Sequence, residues 1–227
     1  MITAKLHIPD GFINLPISAL FALLSLAMVA ISLRKAAVDL DDRTTPLAGL
    51  TAVFIFAAQM INFPVAAGTS GHLLGAALAT VLVGPYAAAL ALTVVLGIQA
   101  LLFADGGLSA LGLNVFNMSV LAVWTSYFLF LGIKKVLPKN KSGITVAATI
   151  AAYVSVPVAA AGFSLQYALG GVGTISASTV VSAMLGTHFL IGVGEALITF
   201  LTVSAIVATR SDLVYGYKPK LETKIGN

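Results

Sequence analysis

Three histidines, a few acids and amides and no cysteine make up most of the reactive chemistry in this 227-residue chain. His7 lies in His7-Ile8-Pro9-Asp10-Gly11. His72 ends the polar, Gly- and Pro-broken stretch that starts at Asn62, and His188 stands seven residues before Glu195. At 3.6 residues per turn, that last spacing puts His188 and Glu195 on one helix face. Imidazoles without thiolates or clustered carboxylates suit borderline ions such as Ni(II), Co(II), Cu(II) or Zn(II) better than Mg or Ca. Simpler roles stay open for each residue. His72 can satisfy a carbonyl, Glu195 and His188 can tie helices together, and Asn114 and Asn117 can bridge helices as amides do in bilayers. Asp10-Gly11 and Gly106-Gly107 read as turns. Enzyme machinery is not visible: HExxH, P-loop and dinucleotide glycine patterns and a G-x-S-x-G nucleophile setting are all absent.

The elements that must position these residues are membrane helices. Hydrophobic types make up 59 % of the chain and charged types 9 %, with a mean hydropathy of +1.04. Soluble domains carry about 25 % charged residues, so this chain cannot cover a water-facing surface. Crossing a hydrocarbon core of roughly 30 Å takes about 20 apolar residues. Long Ala/Leu/Val runs, rather than short alternating segments, argue against a β-barrel. The expected fold is all-α, a single membrane domain over residues 1–227 with seven spans: 15–33, 46–63, 72–83, 86–103, 111–133, 144–169 and 178–208. The third is short, ending at Gly84-Pro85, and needs tilt or shielding by neighbours. Thr69 or Ser70 is expected to cap a helix beginning at His72, whose positive dipole end would keep that ring neutral.

Seven spans sort the charges by side. Arg34, Lys35, Arg43, Lys134, Lys135, Lys139, Lys141, Arg210, Lys218, Lys220 and Lys224 share one side, and the other holds only Lys5. The positive-inside rule then places the C-terminus in the cytoplasm and the N-terminus outside. The basic excess is topology rather than a nucleic-acid surface. The histidines and most other polar groups fall in the outer half, and intramembrane ionisable residues usually face a bundle interior for a reason.

Five segments carry a family resemblance. They are His7-Ile8-Pro9-Asp10-Gly11-Phe12; Asn62-Phe63-Pro64-Val65 with Gly68-Thr69-Ser70-Gly71-His72; Phe103-Ala104-Asp105-Gly106-Gly107 with Leu108-Ser109-Ala110-Leu111-Gly112; Asn114-Val115-Phe116-Asn117; and His188 with the run Ile191–Thr199. In this order they resemble the CbiM/NikM family, the substrate-capture (S component) subunits of energy-coupling-factor transporters for nickel or cobalt. The resemblance implies a six-helix S-component bundle with one extra N-terminal helix. It also implies a cage of four nitrogens: the terminal amine, the amide and imidazole of a following histidine, and a loop imidazole.

By motif those histidines are His7 and His72. In the family form the first histidine follows the initiator directly, whereas Met1–Leu6 precede His7 here. The amine of Leu6 would ligate if the start were trimmed to it. Asp10, Asn62, Thr69, Ser70, Asp105, Asn114, Asn117, His188 and Glu195 are the expected supporting polar shell. The cargo is Ni(II) or Co(II), with no nucleotide site in this chain. The implied partners are a transmembrane coupling subunit, two cytoplasmic ATPases and a small accessory membrane subunit, against which Ser18 and Ala22 offer a small-residue stripe. The competing reading is a stand-alone secondary transporter or channel, with His188 and Glu195 as an ion or proton relay.

Overall fold

The computed structural model describes residues 7–42, 44–60, 63–64 and 70–215. The described chain is a helical bundle: α1 (Leu15–Asp39), α2 (Thr44–Gln59), α3 (Ala76–Leu102), α4 (Leu111–Val136), α5 (Lys141–Gly170) and α6 (Ala177–Thr209). Five of these are long and apolar enough to cross a membrane, and α2 is shorter. A two-residue hairpin pairs Phe63–Pro64 with Ser70–Gly71 in antiparallel fashion, Phe63 opposite Gly71 and Pro64 opposite Ser70.

Several helices outrun the apolar runs that announce them. Helix α1 passes through Arg34-Lys35 to Asp39, because Lys and Arg are good helix formers even where hydropathy ends. Its start is set by Asn14, whose Oδ1 accepts the Ile17 amide at 3.1 Å, followed by a proline in the first turn. Asn140 and Ser176 cap α5 and α6 in the same way. The middle of α4, Val115–Leu121, is wound as π-helix, a rare geometry that often marks functional sites. It carries Asn117 and Met118 inward.

Helix α3 departs most from expectation. It does not start at His72 but at Ala76, and its N-cap is Gly75, with no capping side chain. The expected break between the spans at 72–83 and 86–103 is present: α3 is two helical stretches that meet at Gly84, whose φ of 77° and ψ of 168° are not helical. Glycine tolerates this conformation without a Cβ penalty, and Pro85 restarts the helix at a position that needs no amide. The flanks of α3 show what the break does. Before it lies His72, after it lies Asp105, and both approach His7. At the break, the Tyr215 amide donates to Val81 O at 2.8 Å, so the segment that follows α6 reaches Gly84. Every residue from Ala76 to Pro85 is buried, which shelters a leg too short to face lipid. Replacing Gly84 with alanine is expected to cost about 1–3 kcal/mol, from strained backbone and a Cβ 2.6 Å from the Tyr215 ring. A lowered thermal midpoint in detergent checks it.

The core runs along α3, α4, α5 and α6, with Leu78, Val81, Leu92, Val123, Ala147, Ala151 and Val203 essentially inaccessible. Small residues dominate where helices approach, as dispersion-driven packing in lipid requires. The stripe of Ser18 and Ala22 on α1 is occupied within the chain. Ser18 is buried with Oγ donating to Ile13 O at 3.3 Å. A side chain on Gly112 would run into Ala22, and Ser25 Oγ donates to Gly112 O at 2.8 Å. These small residues let α1 approach α4, which replaces the expectation that they face another subunit.

Candidate metal site

The segment before α1 is short, but it is held on both edges. Ile8 O accepts the Gly107 amide at 2.9 Å. Ile8 N donates to Asn114 Oδ1 at 3.1 Å, and Asn114 Nδ2 donates back to Ile8 O at 3.3 Å. Asp10 Oδ1 accepts the amide and hydroxyl of Ser109 at 2.8 and 2.6 Å. On the other edge, Asn14 N donates to Gly170 O at 2.7 Å and Val172 N to Phe12 O at 3.0 Å. With its main chain tied this way, the segment drives His7 inward.

His7 and His72 meet there. Both are buried, and their ring centroids lie 4.9 Å apart at an interplanar angle of 53°. His72 Nδ1 pairs with Leu73 O at 2.9 Å. In that tautomer Nδ1–H donates to the carbonyl and Nε2 keeps its lone pair, the arrangement metal-binding imidazoles use. Neither ring nitrogen of His7 has an aligned hydrogen-bond partner among the described residues, although Nδ1 is 3.2 Å from Asp105 Oδ2. Buried polar atoms are rarely left unpaired, and two such nitrogens beside a second imidazole suit an incoming cation.

The pair opens on a cavity of about 230 Å³ lined on its polar side by Asn114, Asn117 and His188 and on its apolar side by Phe12, Met118, Phe163 and Met184. Burial, together with the neighbouring His7 ring, lowers the His72 pKa to about 4. The ring is thus neutral at pH 7 because it is buried, not because a helix dipole starts at it. A His pKa depressed from 6.5 to about 4 means that the unfolded chain binds the extra proton first. The stability contribution is therefore complete above pH 6.5 and is lost as pH falls toward 4, by about 3 kcal/mol. Apo-protein melting followed from pH 7 to 4 is expected to show this decline, and His72→Asn to blunt it.

The expected shell divides into several groups. Asn114 and Asn117 line the cavity as expected, and Asn117 also exchanges paired hydrogen bonds with Gln166 at 2.8 and 3.0 Å. His188 lines it too, with Nδ1 on Met184 O at 2.7 Å. Asp105 sits beside His7. Asp10 pins the segment before α1 on Ser109 and does not line the cavity. Glu195 lies at the base of the His72 segment rather than against His188. Ser70 is described only by its main-chain pairing, and Leu6, Asn62 and Thr69 lie outside the described residues. Sequence reading passed over Gln59, whose Nε2 holds Leu74 O at 2.8 Å, and treated Gly106-Gly107 as a plain turn. Gly106 backs directly onto His7, where a Cβ would lie 2.9 Å from that of the histidine. An amide in an otherwise apolar helix was the available signal for Gln59.

Among the described residues, no three of His, Asp and Glu converge to hold a metal by side chains alone. Two imidazoles therefore leave coordination positions for main-chain nitrogen or other donors. The model of a cobalt uptake substrate-specific transmembrane region, CbiM, matches residues 7–213, beginning at His7. This chain belongs to the CbiM family.

Relatives agree along the whole match. A putative fused nickel transport protein NikMN of Archaeoglobus fulgidus is 40 % identical over 92 % of this chain and 68 % of its own length. A putative metal transport protein of Haloquadratum walsbyi is likewise 40 % identical, over 92 % of this chain and 94 % of its own. A cobalt transport protein CbiM of Acetoanaerobium sticklandii is 30 % identical, over 90 % and 85 %. The crystal structure of a truncated transition metal transporter superposes with a TM-score of 0.81 at 29 % identity, covering 89 % of this chain and 99 % of that one. As a CbiM-family member with five apolar spans, the chain is a multi-pass membrane protein and a transmembrane component of cobalt or nickel uptake.

Proposed function

We propose that this CbiM-family chain captures Ni(II) or Co(II) from the extracytoplasmic side as the substrate-binding subunit of an ATP-driven, energy-coupling-factor importer. The metal would serve cobalamin synthesis or nickel enzymes. The observation that carries the reading is the buried His7–His72 pair, with a lone pair free on His72 and no aligned hydrogen bond at either His7 nitrogen, Asp105 lying 3.2 Å from Nδ1. Two imidazole nitrogens with main-chain nitrogen from the His7 end make a set that suits Ni(II) and tolerates Co(II). A ligating amide must lose its proton, so capture weakens with acid. The terminal amine joins the set if the chain is trimmed to Leu6, and intact-mass measurement of the metal-loaded protein decides that point.

Seven crossings with the N-terminus outside are supported by the break at Gly84, which divides α3 into two stretches whose flanks, at His72 and Asp105, both approach His7. They are supported too by the ends of the bundle. Arg34, Lys35, Lys134, Lys135, Lys141 and Arg210 all lie toward the helix ends remote from His7, and Lys141 Nζ donates to Ala208 O at 3.4 Å across that end. The positive-inside rule makes it cytoplasmic. ATP hydrolysis is assigned to partners, two cytoplasmic ATPases acting through a coupling subunit, with a small accessory membrane subunit. A proton relay draws less support, because Glu195 and His188 are each bonded to main chain and not to each other. Reconstitution into vesicles tests the reading. Metal binding without the ATPases, and accumulation only with them, is the expected result. Accumulation without ATPases, or proton flux without metal, overturns it.

A further inference from the structure

The carboxylate of Glu195 is among the most deeply buried groups in the chain, at 1 % exposure, and metal capture by two histidines gives it no task. Both of its oxygens are occupied. Oε2 accepts the Leu74 amide and Oε1 the Gly75 amide, each at 2.8 Å, from more than a hundred residues away in sequence. These amides stand at the start of α3, where no helical carbonyl can reach them, and a carboxylate is the favoured partner at that end.

The Leu74 amide belongs to the same peptide unit as the Leu73 carbonyl, which holds His72 Nδ1 at 2.9 Å. A peptide unit is planar, with its N–H and C=O pointing in opposite directions. Fixing the N–H on Glu195 therefore fixes the direction of the carbonyl, and the carbonyl fixes the tautomer and tilt of the ring. On the next unit, Gln59 Nε2 donates to Leu74 O at 2.8 Å, and Gln99 Nε2 donates to Gln59 Oε1 at 2.9 Å. The peptide thus has little freedom to swing.

We propose that Glu195 is a positioning residue for the metal site, acting on His72 through the Leu73–Leu74 peptide as a carboxylate–peptide–imidazole relay. It replaces the direct carboxylate-to-histidine contact by which metal-bound imidazoles are commonly oriented. It also ties the His72 half of the site to α6, while the His7 half hangs on Asn114, Gly107 and Ser109. The inference rests on the capture reading for its functional consequence, and on the hydrogen bonds alone for its structural one.

The test uses full-length protein labelled with ¹⁵N at the histidine rings, in detergent or nanodiscs. In the metal-free protein, His72 is expected as a single Nδ1–H tautomer. Glu195→Gln offers one acceptor and one donor where two amides point. The His72 signals should then shift toward a mixture of tautomers while those of His188 stay in place. Ni(II) affinity of the same sample should fall about tenfold or more. Glu195→Asp keeps the charge on an arm one methylene shorter, and both readings should fall between wild type and Glu195→Gln. If Glu195→Gln does not fold, the aspartate variant carries the same two measurements. Unchanged His72 signals in a folded variant overturn the relay, and so does Ni(II) affinity equal to wild type. If wild-type protein binds neither Ni(II) nor Co(II), the capture reading fails, while the ring signals still decide whether Glu195 orients His72.

Discussion

His72→Ala is expected to lower Ni(II) and Co(II) affinity by more than about 100-fold, leaving the protein folded. Substitutions that only disturb the orientation of a ligand cost about 10–100-fold, and this one removes a ligand. The fold should survive. The ring is neutral and buried at the edge of the bundle, and its hydrogen bond is to the adjacent Leu73. Nothing distant is orphaned when it goes, and the Glu195 and Gln59 bonds to the following residues remain. Titration calorimetry measures the loss, and the thermal midpoint of the metal-free protein monitors the fold. Near-wild-type affinity would remove His72 from the site.

Gly107→Ala is expected to come close to His72→Ala in effect, although Gly107 carries no ligand. The added methyl would run into the main-chain nitrogen and the carboxylate of Asp10. A backbone atom cannot rotate aside, so the segment from His7 to Asp10 must move away from the turn. That movement breaks the bond from Gly107 N to Ile8 O and strains those of Asn114 and Ser109. His7 then leaves its place opposite His72, with metal affinity falling about 10–100-fold. Helices α2 to α6 do not depend on that segment, and the transition of the metal-free protein should shift by only about 1–3 kcal/mol. A metal titration beside the melting curve separates the two effects. Full affinity in the variant would mean that docking of the segment does not place His7.

The two substitutions probe different supports of one site. His7 depends on an extended segment held between the Gly107–Ser109 turn, Asn114 of α4 and the end of α5. His72 depends on α3, α2 and α6. On the proposed reading the ion would sit where these supports meet, and movement between them would be a route to release that needs no change in either imidazole.

The amino-acid sequence by itself determined the medium and the class, and it named the candidate ligands. An excess of apolar residues cannot be hidden in water, which makes the chain a membrane bundle, and most helices lie within a few residues of their apolar runs. His7 and His72 could be named because their motifs are short and local. Whatever depended on distant segments was not legible. The start of α3 moved from His72 to Ala76 because Gly75 ends the extended segment and Glu195, far along the chain, takes the amides that a local cap would have held. The break at Gly84-Pro85, by contrast, was legible, because a glycine followed by a proline interrupts a helix by local chemistry alone. Ser18 and Ala22 turned inward because Gly112 and Ser25 make room and a bond for α1 on α4. The closeness of the two imidazoles was likewise decided only by the tertiary structure. Local periodicity records which residues avoid water, whereas the meeting of His7 and His72 is set by hydrogen bonds between segments a hundred residues apart.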